Sequence, residues 1–180
     1  TEDTDFGEME ERNLYARSKA ECEKCLLEMH RARGLPLVIA RPGIVIGEGG
    51  PLQHWGIGRW HGAGAVRLWS AGNNKLPFVL IDDVSNGLLA MASAPEAVGQ
   101  SFNLVGDIQF TAREYFDAIF EALGARVKVK GGNPTLFWGV DAVKYVLKKH
   151  ALRRHGVLRP SLMDWKSRAH FRLGAKTKSY

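Results

Sequence analysis

Tyr15 and Lys19 stand four residues apart in the stretch LYARSKAE, which begins at Leu14. On a helix, positions i and i+4 lie about 40° apart and one turn above each other. Both side chains can therefore address one site. A tyrosine phenol ordinarily titrates near 10, too high for a base at neutral pH. A neighbouring ammonium favours the phenolate form and lowers that value. A phenol so placed can exchange a proton with a substrate hydroxyl or carbonyl. The same spacing also occurs on ordinary surface helices, so the surrounding elements decide its meaning.

Other reactive residue types carry less. Cys22 and Cys25 form a C-x-x-C, a pattern with metal and redox uses. A zinc site takes about four ligands, and there is no second cysteine pair. A thioredoxin-like pair belongs at a helix start after a strand, whereas these two lie inside a helical run. They read as ordinary helix cysteines, and no metal is expected. His150 and His155 have neither a partner carboxylate nor a metal-ligand pattern.

The elements that position Tyr15 and Lys19 follow from local signals. Residues 1–12 are polar and read as a loop. Asn13 to Arg33 is rich in good helix formers, and Gly34 and Pro36 end it. Leu37–Ala40 is continuously apolar, the habit of a parallel strand buried on both faces. Residues 48–66 read as an irregular, Gly-rich excursion. AVRLW and LPFVLI read as strands, and SAGNNK between them as a turn. VSNGLLAMASA reads as a helix with Asp83 as its N-cap. QSFNLVG is a strand. Thr111 and Glu114 form a capping box for a helix that Gly124 closes. RVKVKGG alternates as a short exposed strand, and the chain from Pro134 is helical and basic. This alternation predicts an α/β fold.

In combination the motifs are specific. Tyr-x-x-x-Lys opens a long helix, then a strand ends in Arg41-Pro42 with Gly47 five residues on. LPFVLIDDV and SFNLVGD follow, then the capped helix. Over nearly its whole length the chain resembles the later part of the extended short-chain dehydrogenase/reductase family, which includes NAD-dependent epimerases and dehydratases. The resemblance implies an α/β fold: the C-terminal half of a Rossmann-like doubly wound parallel sheet, with an interleaved small α/β substrate-binding domain. Residues 1–47 and 77–110 would belong to the dinucleotide-binding part, and 48–76 and 111–180 to the substrate-binding subdomain. Tyr15 would be the catalytic tyrosine. Lys19 would hold the nicotinamide ribose and support Tyr15. The backbone around Pro42, Gly43 and Val45 would pass beside the nicotinamide of NAD or NADP. Asp82 and Asp83 would be structural, capping a helix.

Two features depart from that pattern. No stretch matches the Gly-rich turn that takes the cofactor pyrophosphate. The family's catalytic Ser or Thr would lie upstream of Tyr15, and Thr1 and Thr4 are too close to it. The sequence is therefore expected to be the second half of a longer enzyme. On the substrate side, Ile44 stands where sugar-nucleotide members often carry Asn, and Leu76 where many carry an Arg. Lys75 can replace that Arg as a point charge but not as a bidentate fork. Both changes favour less polar substrates over nucleotide sugars. Trp55, Trp60 and Trp69 either line an apolar pocket or form the core of the small domain.

The bulk composition limits the alternatives. The 180 residues suffice for one domain and not for two full ones. No apolar run approaches the roughly 20 residues needed to span a bilayer, and the acidic N-terminus is no signal peptide, so a cytoplasmic protein without stable membrane insertion is expected. Charge is divided unevenly: residues 1–125 carry 11 Lys/Arg against 17 Asp/Glu, and residues 126–180 carry 14 against 2. The basic part contains an apolar stripe, Leu136, Val140, Val143 and Leu147, beside Lys144, Lys148, Lys149, Arg153 and Arg154. Such a stripe packs on its own domain more often than on an anionic membrane surface. A small-molecule substrate, no nucleic acid and a homodimer through the Tyr15 helix complete the expectation. Two readings compete with it: a non-catalytic cofactor-sensing or interaction protein on the same fold, and a basic nucleic-acid-binding module in residues 126–180.

Overall fold

The computed structural model describes residues 2, 9, 13–62, 64–124, 126–157 and 159–161. The expected loop over residues 1–12, apart from residues 2 and 9, and the chain beyond 161 lie outside the described residues. Along the sequence run α1 (Leu14–Arg33), β1 (Ile39–Pro42), β2 (Ile44–Ile46), β3 (Gly58–Trp60), β4 (Ala65–Trp69), β5 (Phe78–Leu80) and α2 (Ile81–Ser93). After them come β6 (Ser101–Leu104), α3 (Ala112–Leu123), β7 (Lys128–Gly132) and α4 (Pro134–Val146), with a π turn over Leu147–Ala151. The described residues fall into two compact units, one built from the chain up to residue 54 and from 76–110, the other from 55–75 and from 111 onward.

In the first unit, α1 starts where the Asn13 side chain accepts the Ala16 N–H at 2.9 Å, which satisfies one of the helix's free donors. Its last turn carries His30, Arg31 and Arg33 against the negative end of the helix dipole. β1 pairs in parallel with β6, Ile39 opposite Ser101 through Pro42 opposite Leu104. β2 pairs in parallel with β5, Ile44 opposite Phe78 through Ile46 opposite Leu80. The chain changes partner between them. Pro42 has no N–H to give, the Gly43 N–H donates to the Leu104 carbonyl at 3.0 Å, and the Ile44 N–H to the Pro77 carbonyl at 2.7 Å. A Cβ on Gly43 would lie 2.1 Å from that Pro77 oxygen, so glycine is what lets the strands meet.

Two expectations are corrected in this unit. The strand expected at Leu37–Ala40, buried on both faces, runs from Ile39 to Pro42 and is half-buried, with Pro42 exposed. The Leu37 carbonyl is engaged by the Gly99 N–H at 2.7 Å, so pairing starts two residues later, and among the described residues β1 has one strand partner. Asp83 is not the N-cap of α2. The helix begins at Ile81 directly after β5, with Leu80 at the cap position and no capping side chain. Asp82 and Asp83 sit in the first turn instead, where their charge meets the positive end of the helix dipole.

In the second unit, β3 pairs antiparallel with β4 and β4 parallel with β7. The excursion read as irregular over 48–66 thus contains a strand. Gly58 lets it form: a Cβ there would lie 2.4 Å from the Arg67 carbonyl oxygen. α3 packs through Phe116, whose ring meets Trp60 edge-on with centroids 5.5 Å apart. Its expected capping box is present, with the Glu114 N–H donating to the Thr111 hydroxyl at 3.2 Å and the Thr111 N–H to the Glu114 carboxylate at 2.7 Å. Trp69 is buried against Phe137 of α4, also edge-on, at 5.6 Å, and its indole N–H donates to the Trp55 carbonyl. Trp69 and Trp60 are therefore core residues, while Trp55 is exposed.

The stripe Leu136, Val140, Val143 and Leu147 does not pack on its own domain as expected. All four residues are exposed, because α4 turns Phe137 toward Trp69 and the stripe away from it. Among the described residues no helix is long and apolar enough to cross a membrane.

Candidate functional site

Tyr15 and Lys19 occupy successive turns of the N-terminal half of α1, and the Lys19 Nζ lies 5.8 Å from the centroid of the Tyr15 ring. The structure brings the two together as the helical spacing requires. Tyr15 is 73% exposed and Lys19 is exposed as well, so phenol and ammonium face solvent together. The Ser18 hydroxyl donates to the Tyr15 carbonyl at 2.9 Å, which ties the first turn down.

α1 is fixed to the sheet by a contact that helical spacing does not reveal. The Arg41 guanidinium, at the end of β1, forks onto the Glu23 carboxylate, with Nε 3.1 and 3.2 Å from its two oxygens and Nη2 closer still. This bidentate geometry sets orientation as well as distance. Arg41 also donates to the Glu2 carbonyl at 3.0 Å. The Glu2 carboxylate in turn accepts the Asn103 N–H of β6 at 3.1 Å, and that hydrogen bond holds its carboxyl below the ordinary range. Glu23 lies two turns beyond Tyr15, so the fork clamps the helix that carries the pair to the strand that leads into Pro42–Val45. The Arg41-Pro42 motif pointed to one half of this clamp. Nothing in the sequence pointed to Glu23.

The remaining expected site residues separate. Pro42 and Val45 are exposed at the strand junction and Gly43 is half-buried. Ile44 is buried at 6%. Lys75 is exposed and belongs to the second unit, where its backbone bridges Thr111 and its charge acts on Glu114. Cys22 and Cys25 are free and exposed on α1. Among the described residues no group of three or more His, Cys, Asp or Glu is placed to hold a metal ion.

The donor set at Tyr15 and Lys19 fits the ribose end of a nicotinamide dinucleotide. An ammonium with three N–H donors and a phenol can both hydrogen-bond vicinal hydroxyls. The pyrophosphate end needs a glycine turn that no stretch of this sequence matches.

A model of the NAD dependent epimerase/dehydratase family matches residues 1–105. No curated protein matches the sequence significantly. Among solved structures, the chain resembles the dTDP-glucose 4,6-dehydratase of Bacillus anthracis in complex with NAD, at 19% identity and a TM-score of 0.57 over 74% of this chain and 43% of that one. It resembles a double mutant of DesIV, the dTDP-glucose 4,6-dehydratase of Streptomyces venezuelae, at 24% identity and a TM-score of 0.54 over 66% and 38%. It also resembles the UDP-glucuronic acid 4-epimerase of Bacillus cereus, at 17% identity and a TM-score of 0.52 over 66% and 39%. These likenesses establish a shared Rossmann-like α/β fold, and the chain spans less than half the length of each of the three. Matched by the family model over more than half of its 180 residues, the chain belongs to the NAD dependent epimerase/dehydratase family.

Proposed function

We propose that this chain carries the proton-transfer end of an NAD(P)-dependent oxidoreductase, epimerase or dehydratase acting on a hydroxyl- or carbonyl-bearing small molecule. The observation that carries the reading is the exposed Tyr15–Lys19 pair on a helix clamped by Glu23 and Arg41 to the strand that enters Pro42–Val45. A nicotinamide cofactor, when bound, supplies hydride exchange with the substrate carbon. Tyr15 takes the proton from the substrate hydroxyl, or returns it to the carbonyl oxygen, at its phenol oxygen. Lys19 holds the ribose hydroxyls and places positive charge beside that oxygen. The backbone of Pro42, Gly43 and Val45 flanks the nicotinamide.

Residues 1–47 and 77–110 then form the cofactor-binding part, and 48–76 with 111–180 the substrate-binding part. Of the two residues assigned to substrate, Lys75 presents its side chain to solvent and Ile44 is buried, so Lys75 is the one that can meet a charged group. The relatives solved with a dTDP-sugar dehydratase or UDP-sugar epimerase identity support a sugar-derived substrate, whereas Ile44 and Leu76 favour a less polar one. The same reading places a homodimer contact on α1, whose buried residue is Ala20 and whose remaining surface is largely open.

Tyr15→Phe in the full-length native protein tests the proposal. The expected result is a loss of turnover by about 10²- to 10⁴-fold with cofactor affinity nearly unchanged. Turnover retained in that variant overturns the reading.

A further inference from the structure

The second unit has a charged surface that the proposed chemistry does not use. Cross-strand register places Arg59 opposite Arg67, and Arg67 opposite Lys130. Side chains directly opposite one another share a face, with Cβ atoms about 5 Å apart. The next row on that face joins His61, whose N–H bonds the Ala65 carbonyl at 2.8 Å, to Ala65 and Lys128. Five groups that are or can become cationic thus surround the one small residue, Ala65. A depression of about 170 Å³ opens there, lined by His61, Ala65, Val66, Arg67, Lys128 and Lys130.

Like charges directly opposite across strands are destabilising. Here no carboxylate offsets them. Residues 49–81 and 122–140, which contain all three strands, hold no Asp or Glu. Among the described residues neither ion pair involves these five. The acidic helix α3 lies on the opposite face of the sheet, since it meets Trp60, whose side chain alternates with that of Arg59. The packed half of the cationic face is the Trp69 end, under Phe137. The half around Ala65 stays open.

We propose that this face is an anion-binding site for a phosphate or diphosphate group of a small soluble ligand. Two guanidinium forks match oxyanion geometry, and the lysines add point charge. The depression is below the size of a whole-nucleotide pocket, so it takes the phosphate end while the rest of the ligand extends along the sheet. The site lies within the second unit and does not rest on the Tyr15 reading.

Calorimetric titration of the full-length native protein with inorganic pyrophosphate tests it. Wild type is expected to bind saturably, and more weakly as sodium chloride rises. Arg67→Gln with Lys130→Gln is expected to weaken binding by about tenfold or more. Lys148→Gln with Lys149→Gln, an equal charge change on another element, is expected to keep the wild-type affinity. No binding by wild type, or equal losses in both double variants, overturns the proposal. If the first double variant does not fold, Arg67→Lys decides. It keeps the charge and loses the fork, so weakened binding supports the site and unchanged binding overturns it. Tyr15→Phe is expected to leave pyrophosphate binding intact, which separates failure of this site from failure of the proposed reaction.

Discussion

The two units hold their strands by different means. In the second, β4 contributes Val66, Leu68 and Trp69, each 1% exposed or less, and aromatic contacts fasten a helix to each side of the sheet. In the first, β1 is half-buried throughout, and the junction is set by backbone hydrogen bonds around Gly43 and by one ion pair. Apolar burial is non-directional and gives the second unit stability to spare. That surplus is what allows a sheet face to keep three cations in one row. Hydrogen bonds and the Glu23–Arg41 fork contribute less energy but are directional. They suit the unit whose exposed Tyr15 must be held at a set angle.

The largest expected effect breaks the second unit. Trp69→Ala removes the ring from its contact with Phe137 and orphans the indole's hydrogen bond to Trp55. A loss of about 3–5 kcal/mol is expected in chemical denaturation. Hydrogen exchange should then rise in β4 and β7 more than in β1 and β6. Equal rises in both units would erase the contrast. Gly43→Ala is the matching test of the first unit. The added methyl would meet a backbone oxygen that cannot rotate away, so β1 or β2 must shift, at a cost of about 1–3 kcal/mol. Exchange should rise first at the Gly43 and Ile44 amides.

Legibility in the sequence follows the range of the interaction. α3 was readable at both ends because its capping box and its left-handed Gly124, with φ +65°, involve residues within one turn. The Tyr15–Lys19 pair was readable for the same reason. β3 was not, because a three-residue strand has no pattern of its own and exists through its pairing with β4. β1 was displaced because its start is set by Gly99 and Ser101, about sixty residues away. The cap of α2 was misassigned because β5 runs straight into the helix. The Glu23–Arg41 clamp joins residues 18 apart on different elements, and the Arg59–Arg67–Lys130 row appears only once register is known. The exposed stripe of α4 was misread because periodicity shows that a face exists, and packing decides which face is covered.

A smaller effect sharpens the difference between stability and positioning. Glu23→Gln keeps the shape and removes the charge that Arg41 grips. Both side chains are partly exposed, at 30% and 16%, so the stability cost is expected near 1 kcal/mol. The helix bearing Tyr15 loses its fixed angle. Turnover should therefore fall by more than stability does, with kcat reduced and KM little changed. Equal, small changes in both would mean the fork is structural alone.

The smallest effect concerns the cap of α3 and its dependence on pH. The Thr111 N–H, and then its hydroxyl, hold the Glu114 carboxyl below its ordinary value of 4.5. A carboxyl depressed in the folded state stabilises the fold fully above its unfolded value. That contribution is lost as pH falls through the lower folded value. Wild type should therefore exceed Glu114→Gln by a constant margin above about pH 5.5, and the margin should shrink below 4.5. Thr111→Ala removes the hydroxyl partner at every pH, at about 1 kcal/mol. Because the box belongs to the second unit, acid should loosen α3 while the Tyr15 helix, capped by the uncharged Asn13, keeps its first turn. Exchange at the Ala16 and Glu114 amides across that pH range compares the two caps directly, and parallel loss at both would show that the cap chemistry is not what distinguishes them.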